Sequence, residues 1–142
     1  MKIYKLTLTI SGDHFLVSDA VKNISGGLEL ISKTELQDYD TLKDAYGSLV
    51  FMHPQKFAIA GQGRQYEEDF VFFIEKNFKI LVDSGGVDFD LYTEYYYSDY
   101  QCNFEILDRN LISRVICNKI NIALPVSIYK MTAFQIKELL KS

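Results

Sequence analysis

The sequence predicts an α+β fold: a single domain spanning residues 1–142, with a mixed or antiparallel sheet and helices packed mainly on one face. Three observations predict it. Lys2 to Ile10 and Val87 to Tyr97 alternate apolar and polar side chains with the period of a half-buried strand. Other segments repeat their apolar residues at three- and four-residue steps, the period of a helix with one buried face. The third is size: 142 residues, 48% of them hydrophobic, suit one continuous core, and no internal repeat or low-complexity linker divides the chain.

In the first strand Tyr4, Leu6, Leu8 and Ile10 share one face, and Ile3, Lys5, Thr7 and Thr9 the other. Ser11, Gly12 and Asp13 favour a turn, Ser18 or Asp19 offers an N-cap to a short helix carrying Val21 and Ile24 inward, and Gly26 with Gly27 stops it. Leu28 to Ile31 and Leu49 to His53 read as brief strands separated by the polar stretch Thr34 to Tyr46, and Pro54 ends the second. Phe57 to Gln65, with Gly61 and Gly63, reads as a loop or edge strand.

A long helix follows. Glu67, Glu68 and Asp69 oppose the positive end of its dipole; Phe70, Phe73, Ile74, Phe78, Leu81 and Val82 form a buried stripe; Gly85 and Gly86 close it. The segment VDFDLYTEYYYSDYQCNFEIL, Val87 to Leu107, then reads as a central hairpin: a strand to Tyr97, a loop at Ser98 to Tyr100, and a second strand with Cys102, Phe104 and Ile106 on one parity. Asp108 caps a helix with Leu111, Ile112, Val115 and Ile116 on one face, and Asn118 ends it. Asn121 to Tyr129 alternates again, with Pro125 demanding an edge or a bulge. Thr132 caps a terminal helix holding Phe134, Ile136, Leu139 and Leu140.

Composition narrows the partners. A net charge of −4 argues against binding nucleic acid through phosphate neutralisation and suits a basic partner. The N-terminus alternates instead of running apolar, and no run reaches the ~18 apolar residues of a membrane span, so a cytoplasmic location and no membrane partner are expected. Two cysteines, Cys102 and Cys117, read as buried free thiols. His14 and His53 have no companions at metal-ligand spacing and read as surface or packing residues, so no metal is expected. Gly61-Gln62-Gly63 is half of a phosphate-binding fingerprint without its third glycine, and no cofactor is expected.

The strongest candidate site is the polar parity of the central strand. Asp88, Asp90, Tyr92, Glu94 and Tyr96 project from one face, with same-parity neighbours about 7 Å apart. Acids interleaved with tyrosines suit recognition of a protein partner better than a reaction centre. Glu67, Glu68 and Asp69 compete as partner-binding acids. The alternative is a small-molecule-binding or hydrolytic enzyme using the strand carboxylates as an acid and base pair.

The stretch LYTEYYYSDYQCNFEILDRNLISRVICNKINIALPVSIY resembles the C-terminal signature of the bacterial domain-of-unknown-function family 4279. Its most specific parts are Tyr95-Tyr96-Tyr97 and Gln101-Cys102-Asn103-Phe104-Glu105. The opening YKLTLTISGDHFLVSDAVKNI is similar to that family's first strand, turn and short helix. The chain departs from the family in having no Trp and no proline-containing segment after the first helix. The resemblance implies a small α+β domain with no established catalytic activity, of a kind often found in bacterial toxin neighbourhoods. It also implies an immunity protein that binds and neutralises a cognate toxin or effector without turnover.

Overall fold

The computed structural model describes residues 1–36 and 46–142. Among these residues seven strands form one mixed sheet: β1 Lys2–Asp13, β2 Glu29–Leu36, β3 Tyr46–Met52, β4 Ala58–Ile59, β5 Asp88–Tyr97, β6 Ile122–Ala123 and β7 Val126–Lys130. The helices are α1 Val17–Asn23, α2 Arg64–Asp83, α3 Arg109–Cys117 and α4 Ala133–Lys141. The sheet runs β2-β3-β1-β5-β6, with β4 beside β1 and β7 beside β5. β1 pairs antiparallel with β3, β4 and β5, whereas β6 and β7 run parallel to β5. The α+β class is as the alternation predicts, and β5 lies inside the sheet. Most of the polar stretch Thr34 to Tyr46 falls outside the described residues.

Alternation sorts the sheet into two faces. Tyr4, Leu6, Leu8 and Ile10 of β1, Leu49 and Phe51 of β3, and Phe89, Leu91 and Tyr95 of β5 are buried on the near face. There they join Phe15 and Val17, Phe70, Phe73, Ile74 and Leu81 of α2, and Leu111 and Val115 of α3 in the main core. On the far face a smaller cluster of Ile3, Phe57, Tyr96 and Ile136 is covered by α4. Three helices therefore contribute to the near-face core and one to the far-face cluster.

The helix ends follow local chemistry. The Asp108 carboxylate accepts from the Leu111 amide at 2.9 Å, and Thr132 and Gln135 form a reciprocal capping box at α4. At the end of α2, Gly85 takes φ +102°, a left-handed conformation that costs glycine little, while the Gly85 and Gly86 amides donate to the Val82 and Leu81 carbonyls. Asn77 also sits on the buried side of α2, where it donates to the Ser25 and Phe73 carbonyls and accepts from the Ser25 amide.

Several local expectations are corrected. β1 continues through Ser11 and Gly12 to Asp13, paired with β3 over the whole of that extension. α1 starts at Val17, ahead of Ser18 and Asp19, because burial of Phe15 and Val17 fixes its entry; the Ser18 hydroxyl donates instead to Glu35. Cys102 to Ile106 is not a strand. β1 occupies one edge of β5 and β6 with β7 the other, so this segment turns over the near face and stacks Phe104 on Tyr95 at 4.2 Å. Asn121 to Tyr129 breaks at Pro125 into β6 and β7, and the Pro125 carbonyl accepts from the Thr93 amide in the gap. Val82, Ile116 and Phe134 lie on exposed sides of their helices. Both thiols are free, but Cys102 is only half-buried and Cys117 is exposed.

Candidate functional site

Strand β5 sends its two parities to different environments. On the far face Asp88 is exposed and accepts from the Asn121 side chain at 3.1 Å, while Asp90 stands opposite Thr9. Tyr92 hydrogen-bonds the Ser127 hydroxyl, and Glu94 pairs with Lys5 at 2.6 Å. Tyr96 is 9% exposed, stacked on Tyr129 at 5.2 Å and meeting Phe57 edge-on. Burial pushes its phenol pKa upward. The five predicted residues thus share a face as alternation requires, but Tyr96 belongs to the packing beneath α4. Asp88, Asp90 and Tyr92 lie toward the other end. Register adds Asp13 and Tyr46 to that end, both exposed, with half-exposed Thr9, Ser11 and Ser48 between.

The three competing acids of α2 have separate duties. Glu68 pairs with Arg114 and Arg64, and Asp69 with His53. The Gln55 amide donates to His53 Nδ1, so neutral His53 carries its proton on Nε2 and donates it to Asp69. With its ring 4.7 Å from Tyr66, His53 is a packing residue, as its lack of ligand spacing implies.

Glu67 is 7% exposed and reaches the near face. There the Tyr4 hydroxyl donates to Oε2 at 2.9 Å and the Leu107 amide to Oε1 at 2.6 Å. Burial pushes the Glu67 carboxyl above the usual glutamate range; the two hydrogen bonds oppose that shift, and Asp108 and Glu105 reinforce it. Burial, followed by the Glu67 charge, also raises the Tyr4 phenol. Tyr4 stands opposite Tyr95 across β1 and β5, with the rings stacked 5.9 Å apart. Tyr66 meets Tyr4 edge-on, accepts from the Leu6 amide at 2.9 Å, and is pushed up to about 12 by burial.

These groups border a cavity of about 340 Å³ between β1, the loop entering α2, and residues 103–108. Gly61 and Gly63 line it, and a Cβ at Gly63 would lie 1.8 Å from the Tyr4 hydroxyl, so only glycine leaves room for the Tyr4–Glu67 bond. At the rim Arg64 Nε donates to Asp108 at 2.5 Å, holding the Asp108 carboxyl below its ordinary range. Tyr95 lines the cavity while its hydroxyl, pushed up to about 12 by burial, has no hydrogen-bond partner among the described residues. Among the described residues no Ser, Thr, Cys or His lines the cavity, and none of the five predicted far-face residues does. Its lining of carboxylates, phenols, one guanidinium and one carboxamide supplies donors and acceptors that can bind and orient a ligand.

Sequence reasoning placed Glu67 with Glu68 and Asp69 among the first-turn acids that compete to bind a partner. The missed signal was periodicity, because residues 67, 70, 74 and 81 fall on one helical stripe and put a carboxylate among buried apolar side chains. Among the described residues no group of three His, Cys, Asp or Glu side chains could hold a metal ion, and no helix is long and apolar enough to cross a membrane.

Fold and geometry define a small α+β protein with a solvent-facing acidic strand end on one sheet face and a polar cavity on the other. No protein-family model, curated protein or solved structure matches the chain.

Proposed function

We propose that this protein is a non-enzymatic immunity protein that binds a cognate bacterial toxin or effector in the cytoplasm of the producing cell and neutralises it without turnover. The observation that carries this reading is the end of the far sheet face that no helix covers among the described residues. Asp13, Asp88 and Asp90 lie there beside Tyr46 and Tyr92, while α4 covers only the opposite end. Together with a net charge of −4, that patch suits the basic cleft of an enzyme that acts on anionic substrates. Long-range attraction would speed encounter, and tyrosine rings would supply the desolvated contact. The resemblance of the tyrosine-rich strand and the Gln101–Glu105 run to toxin-associated domains supports the same setting.

The test is co-purification with the product of the adjacent gene, followed by association kinetics at low and high salt. Asp88→Asn/Asp90→Asn should slow association several-fold at low salt and flatten its salt dependence, whereas Tyr92→Ala should mainly speed dissociation. A complex with unchanged rates in both variants would put the contact on another surface. Absence of any complex with the neighbouring product would remove the immunity reading.

A further inference from the structure

We propose that the near-face cavity bordered by Tyr4, Glu67 and Tyr95 binds a small organic cation carrying a primary ammonium group. This site is separate from the far-face contact. Its volume of about 340 Å³ sits at the lower end of small-molecule pockets and suits a compact ligand.

Two independent features indicate an occupant. Tyr95 is 1% exposed, yet its hydroxyl has no partner among the described residues. Buried polar groups are ordinarily paired, and the hydroxyl belongs to a ring that borders this cavity. The second feature is Glu67, a carboxylate held beside the same cavity by the Tyr4 hydroxyl and the Leu107 amide. Each Glu67 oxygen receives one of these bonds, which leaves acceptor capacity for a ligand donor.

Charge and hydrogen-bond polarity select the ligand class. Among the described residues Arg64 is the one cation in the lining, against Glu67, Glu105 and Asp108, so one positive and three negative charges leave −2. Arg64 is already engaged by Asp108 and Asn110. The Tyr4 hydroxyl gives its proton to Glu67 and keeps its oxygen lone pairs free. Tyr4 and Glu67 therefore offer acceptors to a multiply donating, positively charged head, and the Tyr95 hydroxyl, closed to solvent at the cavity wall, would join them once a ligand opens that wall. An ammonium group has three N–H donors and no acceptor. The N-terminus of α2 has no side-chain cap and would by itself attract an anion, but Glu67 in the first turn already opposes that half-charge. The glycines at 61 and 63 provide space without adding positive charge.

The test is titration of the intact protein, followed by calorimetry and amide NMR, with n-butylamine and 1,4-diaminobutane against n-butanol and inorganic phosphate. At least one amine should bind saturably and shift the Leu107 and Gly63 amides, while butanol and phosphate should not. Tyr95→Phe, which keeps the ring stack, should weaken amine binding by about tenfold through loss of one hydrogen bond to a charged group. Glu67→Gln should weaken it further; if that variant does not fold, Tyr95→Phe decides. Three results would each overturn the proposal: no saturable amine binding, butanol or phosphate binding as tightly as the amines, or Tyr95→Phe binding the amine as tightly as the parent.

Discussion

Truncating Phe73 tests how α2 is seated on the sheet. Its ring is 2% exposed, lies 4.8 Å from the Phe51 ring, and packs so closely on the 26–27 turn that a Cβ at Gly26 would come within 2.8 Å of it. β3 on one side is fixed by sheet pairing, and the turn on the other by two Asn77 bonds to Ser25. Neither wall can readily collapse, so Phe73→Ala should leave a cavity and cost ~3–5 kcal/mol. For a domain of this size that is a melting shift of roughly 6–20 °C. Phe78 only partly joins the core, against Phe89 at 5.9 Å, so Phe78→Ala should cost about 1–2 kcal/mol. Val82 is 43% exposed, and Val82→Ala should stay within about 0.5 kcal/mol. Thermal and urea unfolding of the three variants should therefore give a graded series. If Phe73→Ala and Val82→Ala melted within a degree of each other, the seating of α2 would be wrong.

Two further outcomes follow from the cap and the buried acid. Thr132→Ala breaks the capping box of α4 and should cost about 1 kcal/mol, read as faster amide exchange at Ile136; unchanged exchange would mean that the box contributes nothing. Burial places the Glu67 carboxyl above its unfolded value, so the folded state holds that proton more tightly. This contribution to stability is complete below the unfolded pKa and is lost as pH rises through the folded one, and a carboxyl titration by NMR with a midpoint at or below that of an exposed glutamate would contradict it.

The sequence disclosed features that depend on neighbours along the chain. The alternation of β1 and β5, the Phe70–Phe73–Ile74 stripe, the Asp108 and Thr132 caps and the glycine stop at Gly85 all rest on local geometry. Features set by distant contacts were not disclosed. Cys102, Phe104 and Ile106 have strand parity, but alternation says nothing about whether an edge of β5 is vacant, and the edge was taken by β6 and β7 from further along the chain. Helical spacing likewise implied burial for Val82, Ile116 and Phe134 without showing where packing stops. On the candidate face, parity grouped Asp88, Asp90, Tyr92, Glu94 and Tyr96 but could not reveal that α4 covers Tyr96 or that Lys5 neutralises Glu94. The Tyr4–Glu67 bond joins residues 63 positions apart, beyond the reach of local pattern.

The two proposed sites share backbone but not side chains. Tyr4 and Lys5 are adjacent in β1, as are Glu94 and Tyr95 in β5, and the pleat sends Tyr4 and Tyr95 to the cavity face but Lys5 and Glu94 to the other. Stacked rings and paired strands make this part of the sheet rigid, so a substitution confined to one face should not reshape the other. Effects of Tyr95→Phe and Asp88→Asn/Asp90→Asn should therefore add within about 0.5 kcal/mol for both toxin and amine binding, as expected for sites with no shared partner. A larger coupling would mean that the ligand changes the sheet itself, making the cavity a regulator of the docking face and not an independent site.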